Sequence, residues 1–142
     1  MDTQYTTKQM GDACEMLVAA ELTLAGVPAL RLPDFWPEHD VIAQPIDRGL
    51  QRISVKSRTF KTGAAFVEYL ETDRFEWLAI VLLMPESKRR IFVIPRDLAD
   101  AKAHRNKPTS KVATARYWRI DEVATLFADF EGNFTLQAGG KA

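Results

Sequence analysis

The chain has 142 residues, 46% of them hydrophobic and 27% charged, which predicts one globular domain with a real core and excludes a disordered or fibrous protein. Nineteen basic and nineteen acidic residues cancel, so a nucleic-acid partner would have to be held by a local patch rather than by the field of the whole molecule. Cys14 is the only cysteine, which excludes an intrachain disulfide and predicts a reducing compartment.

Residues 7 to 26 carry a helical pattern, with Met10, Cys14, Leu17, Val18 and Leu22 at three- and four-residue steps. Thr6 or Thr7 can cap its start, and Gly26 followed by Pro28 ends it. Cys14 is expected to be a small buried hydrophobe, and Gly11 to mark a close approach of the backbone. Glu15 lies about 100° round the helix from Cys14, at the margin of the apolar face. Glu21 falls on the solvated side.

Val27 to Leu32 reads as a short strand, followed by a rigid loop at residues 33–37. Residues 39 to 58 then read as a hairpin: Asp40 opens a strand with Val41, Ile42 and Ala43, and Asp47-Arg48-Gly49 is turn chemistry. Leu50, Arg52, Ser54 and Lys56 alternate with Gln51, Ile53, Val55 and Ser57. Ser54 and Lys56 therefore share one face, and Ile53 and Val55 the other. A basic connector follows at residues 58–63, and residues 64–70 form a strand or an irregular piece.

Trp77 to Met84 is a continuous apolar run, expected to be a strand buried on both faces. Residues 85–90 form its turn and Ile91 to Ile94 the partner strand. Pro95 starts a helix over 96–104, residues 105–111 form a polar loop, and 117–120 a short strand. Asp121 is expected to cap a helix over 122–130, and residues 138–142 to fray. The start of the chain lacks a charged segment followed by an apolar run, and Trp77 to Pro85 is too short to span a bilayer, so a soluble cytoplasmic protein with no membrane partner is expected. The architecture is α/β: an N-terminal helix on a mixed sheet of four or five strands, with flanking helices, in a single domain.

Three features stand in order within the first half: Gly11-Asp12-Ala13-Cys14-Glu15 on a helix, Asp40 opening a strand, and Ser54-Val55-Lys56 on the next. The set resembles the PD-(D/E)xK nucleases, a superfamily that includes restriction enzymes and archaeal Holliday-junction resolvases. The resemblance covers residues 8 to 60, and departs at Ser54, where an acid or Gln is expected. It implies a restriction-endonuclease-like fold and divalent-metal hydrolysis of DNA phosphodiesters. It assigns catalysis to Glu15, Asp40, Ser54 and Lys56, and metal ligation to Asp40, the Val55 carbonyl and Glu15. Mg²⁺ takes hard oxygen ligands, often one or two carboxylates plus waters and phosphate. With Ser54 neutral, Mg²⁺ is expected to bind weakly and Mn²⁺ to serve better. Glu68 or Glu38 could instead supply the missing carboxylate.

Candidate phosphate contacts are Arg58, Lys61, Lys88, Arg89, Arg90, Arg105, Lys107 and Lys111. Phe35 and Trp36 could stack on a base or simply pack, and His39 could act as a base beside Asp40. Plainer roles stand beside these: Asp40 ending a strand, Lys56 snorkelling from an edge, Glu15 and the His104 loop solvated. The alternative function is a relative without catalysis that binds nucleic acid or a protein partner, which Ser54 favours. One site cuts one strand, so duplex cleavage would use a homodimer.

Overall fold

The computed structural model describes residues 4–37 and 39–141. Helix α1 spans Thr7–Leu24 and opens with a capping box, the Thr6 hydroxyl accepting from the Gln9 amide while the Gln9 side chain accepts from the Thr6 amide. It stops at Gly26, whose φ of +95° is the left-handed geometry that costs glycine nothing. Cys14, Val18, Ala19 and Leu22 form its buried stripe.

That stripe packs on one face of a five-stranded mixed sheet ordered β1-β2-β3-β5-β6. Its strands are β1 (Ala29–Arg31), β2 (Val41–Ala43), β3 (Gln51–Thr59), β5 (Trp77–Leu83) and β6 (Arg89–Pro95). The β2–β3 hairpin is antiparallel with Val41 opposite Ile53, whereas β3 and β5 run parallel with Val55 opposite Ala79 and Lys56 opposite Ile80. Val41, Ile53, Val55, Ala79, Val81 and Val93 face α1. The expected β5 is buried throughout except at its last residue.

The opposite face of β5 and β6, made of Leu78, Ile80, Leu82, Phe92 and Ile94, is covered by a third layer. That layer holds a separate antiparallel sheet ordered β4-β8-β7, where β4 is Phe66–Leu70, β7 His104–Arg105 and β8 Ala115–Arg119. It also holds α2 (Arg96–Lys102) and the segment 120–130. The expected mixed sheet is thus present with five strands, and a second, three-stranded sheet that the sequence did not announce lies over it. In β4, Val67 and Tyr69 are buried and Phe66, Glu68 and Leu70 exposed, so this strand has one face to bury and lies over the main sheet rather than within it.

Other expectations shift locally. The helix at 96 ends at Lys102, because His104 and Arg105 pair with Tyr117 and Arg116. The helix expected over 122–130 divides into a 3₁₀ turn at Ile120–Glu122, α3 at Val123–Leu126 and a 3₁₀ turn at Ala128–Phe130. Asp121 does not cap it; its carboxylate accepts from the Gly63 amide at 2.9 Å and pairs with Arg119. Gly49 is not among the glycines at positive φ, and the hairpin loop is closed instead by the Gln44 side chain donating to the Arg48 carbonyl. Near the chain's end, read as a fraying tail, the Lys141 amide donates to the Asp129 carbonyl at 2.7 Å.

Candidate active site

Strand β2 stops where Val41 meets Ile53, and among the described residues no strand pairs with β3 beyond that point on this side. Amides of even-numbered β3 residues point to β5, as the Phe60 N–H to Leu83 bond just past the strand shows. The odd-numbered backbone groups of Val55, Ser57 and Thr59 therefore line an open edge. Asp40 sits at its start. Its Oδ2 accepts from the Val55 amide at 2.8 Å, so the carboxylate takes the place the missing strand would fill. The Val55 carbonyl lies on the same edge, because amide and carbonyl of one strand residue point the same way.

Lys56 and Ser54 share one face, as the alternation predicted, and it is the face away from α1, in register with Ile80 and Leu78 of the far core. Lys56 is half-buried and makes no hydrogen bond or ion pair among the described residues. Ser54 is 3% exposed. Glu15 comes from α1, on the other side of the sheet, and lies near enough to Asp40 to feel its charge. Burial raises the Glu15 carboxyl above its ordinary value, the Asp40 charge adds to this, and Arg31 opposes it.

Arg31 is the residue that sequence reasoning missed. Its Nε donates to Glu15 Oε1 at 2.8 Å, and its Nη2 to Asp12 at 2.8 Å and Asp34 at 2.6 Å. Lys8 closes the network by donating to Asp12 and Asp34 at 2.9 Å each. An arginine in register with the strand residue Val41, which faces α1, next to a helix with acids at positions 12 and 15, was the available signal.

The alternative carboxylates do not join. Glu68 lies on the outward face of β4, and Glu38 lies outside the described residues. Among the described residues no group of three His, Cys, Asp or Glu side chains is placed to hold a metal ion. The two oxygen donors on this edge, the Asp40 carboxylate and the Val55 carbonyl, are hard oxygens of the kind that suits Mg²⁺ or Mn²⁺ completed by water and phosphate. Glu15 is engaged by Arg31.

Arg58 and Lys61 line the same cavity as Lys56. Lys88, Arg89 and Arg90 sit at the β5–β6 turn, at the Thr59 end of the sheet but two strands from the open edge. Arg90 is held by Glu131 through two hydrogen bonds of 2.9 and 2.7 Å, and Lys88 lies 3.9 Å from Glu86, so much of this charge is answered internally. Arg105, in β7, donates to the Asp100 carbonyl, and Lys107 and Lys111 are exposed in the loop that follows. Phe35 and Trp36 are exposed in a turn rather than packed, and the Trp36 indole donates to His39 Nε2 at 3.2 Å, which makes that nitrogen an acceptor already in use. His104 is not merely solvated: its ring bonds Glu122 at 2.7 Å. Cys14 is buried, and burial pushes its thiol up. No helix among the described residues is long and apolar enough to cross a membrane.

Two solved structures share the architecture. A bacterial homing endonuclease, I-Ssp6803I, aligns with a TM-score of 0.54 at 17% identity, over 79% of this chain and 89% of that one. Hjc, a Holliday junction resolvase from the archaeal hyperthermophile Archaeoglobus fulgidus, aligns with a TM-score of 0.50 at 20% identity, over 83% of this chain and 87% of that one. The chain thus has the restriction-endonuclease-like fold, the fold expected from Glu15, Asp40 and Lys56. At these identities the likeness is one of fold. No protein-family model matches the chain, and no curated protein does.

Proposed function

We propose that the protein is a divalent-metal-dependent nuclease acting on DNA, with its site at the open edge of β3. One observation carries this: Asp40 is fixed to the Val55 amide at 2.8 Å, next in the strand to a half-buried Lys56 that no described acceptor engages. A buried cation without a partner is costly, so the arrangement is best explained by an anion that arrives with the substrate. Asp40 and the Val55 carbonyl would hold the ion, and Mg²⁺ or Mn²⁺ there would lower the pKa of a bound water and neutralise phosphate charge. Lys56 would orient the water or take the charge developing on the phosphate. Glu15, seated against Arg31, would act through water or after leaving that pair. Arg58 and Lys61 would hold the flanking backbone. Cutting both strands of a duplex would call for two copies of the chain.

Cleavage of linear and branched DNA with Mg²⁺ or Mn²⁺, beside Asp40→Ala and Lys56→Ala, tests this. Metal-dependent cleavage lost in both variants is expected. A rate unchanged in Lys56→Ala would overturn it. The burial of Ser54, which leaves no second strand carboxylate, favours a second reading: a binding protein on the same fold that has lost the ion. Its mark would be DNA binding indifferent to divalent metals.

A further inference from the structure

Between α1 and β4 a cavity of about 620 Å³ opens beside the free edge of β3. Three cations line it, Lys56, Arg58 and Lys61, and no carboxylate does. One wall is Phe66, a residue 45% exposed whose ring is braced edge-on against Tyr117 with centroids 5.5 Å apart. Another is Gly11, where a Cβ would meet no heavy atom within 4 Å, so the helix backbone itself faces open space. Ser57 and Thr59 also line the cavity, with their backbone groups on the edge that no strand covers. Arg58 is tied down, donating from Nη1 to the Ser57 carbonyl at 2.7 Å and from Nε to the Phe66 carbonyl at 3.2 Å.

We propose that this cavity receives one unpaired nucleotide of the DNA strand, which rests on the nuclease reading in that the same strand runs past Lys56. Its size lies within the range of about 300–1,000 Å³ typical of small-ligand sites. The base stacks on Phe66, its polar edge meets the open backbone of β3, and its phosphate meets Lys56 and Lys61. Stacking on an aromatic ring tolerates any base, so the site selects for lack of pairing rather than for sequence. A base in intact duplex must first leave its stack and its partner, whereas a base in a flap, branch or single-stranded gap does not. The substrate class is therefore DNA carrying an unpaired segment.

The test is binding in EDTA, where no metal takes part, using branched DNA with 2-aminopurine at the unpaired position beside a blunt duplex of equal length. The expected result is a fluorescence change on binding and tighter binding of the branched DNA. Phe66→Ala should lower that preference about 5- to 160-fold, the range of one lost stacking contact, while Phe66→Trp keeps it. Gly11→Val puts a side chain into the cavity from a position where a Cβ meets no heavy atom within 4 Å and should weaken the fluorescence change; circular dichroism checks that both variants fold. Equal affinity for the two DNAs, or a preference untouched by Phe66→Ala and Gly11→Val, overturns the proposal. Failure here with metal-dependent cleavage intact leaves the nuclease standing without this pocket. A responding fluorophore with no cleavage in any metal keeps the pocket and removes the nuclease.

Discussion

Arg52 and Lys56 lie on the same face of one strand, about 13 Å apart, and the fold treats them in opposite ways. Arg52 stands where β3 has a neighbour on both sides, opposite Ile42 of β2 and beside Glu76 at the entry to β5. Glu76 accepts from the Arg52 amide at 2.8 Å and from its Nε at 2.9 Å. Lys56 stands where β2 has ended, with Ile80 on one side and a cationic cavity on the other. No carboxylate among the described residues pairs with it. A sheet that closes its own charge at one point and leaves it open two residue pairs further on has set aside the second point for something else. Charge alone does not mark a site; charge the fold could have answered and did not is the better sign.

The largest expected effect lies at the open end. Lys56→Ala should lower cleavage about 10²–10³-fold, as loss of one group aimed at developing charge does in other enzymes. Its thermal stability should hold or rise slightly, since a half-buried charge without a partner is removed. Arg52→Ala should show the reverse, activity largely kept and stability reduced. Single-turnover rates and melting curves on the two variants check the contrast. Equal losses of activity in both would erase it.

Ser54 sharpens the comparison. It shares the face of both cations and is 3% exposed, so Ser54→Glu places a carboxylate in a nearly dry position. Without metal this should cost about 3–5 kcal/mol, the penalty of a buried charge left uncompensated. Added Mn²⁺, and less so Mg²⁺, should restore much of the loss if the new carboxylate completes an oxygen site with Asp40 and the Val55 carbonyl. Melting in EDTA and in each metal reads this directly. A loss that no divalent ion repairs would mean that the edge of β3 does not hold one.

The hairpin, the placing of Lys56 and Ser54 on one face, and the doubly buried β5 were all legible, because each is written in a local period. What was not legible depends on partners far along the chain. Arg31 reaches Glu15 across 16 positions, Gly63 reaches Asp121 across 58, and Arg48 reaches the Leu136 carbonyl across 88. The division into two sheets was equally hidden, since the alternation in Phe66–Leu70 says one face is buried but not against what. Asp40 at the start of its strand and Lys56 on the next could be read from the pattern, and the resemblance named them as candidates. That Glu15 approaches from the opposite side of the sheet, and that Phe66 walls a cavity, could not.

The smallest effect concerns the closed end. Burial pushes the Glu76 carboxyl up, but the side-chain and backbone hydrogen bonds from Arg52 outweigh it, and the group ends below its ordinary value. A carboxyl depressed in the folded state contributes stability above its unfolded pKa of about 4.3 and loses it as pH falls through the lower folded value. Glu76→Gln should therefore cost about 1 kcal/mol at pH 7, the ion-pair part being small because Arg52 is 42% exposed and screened by solvent. As pH drops below about 4.3 and through the lower folded value the difference from the unmutated protein should shrink, and below that value both side chains are neutral. Lys56→Ala, which takes no carboxylate partner with it, should leave that acid limb where it was. Urea unfolding between pH 3 and pH 7 on the three proteins decides it. A Glu76→Gln deficit that stays constant with pH would mean that shape rather than charge holds Arg52, and the contrast with Lys56 would then rest on packing alone.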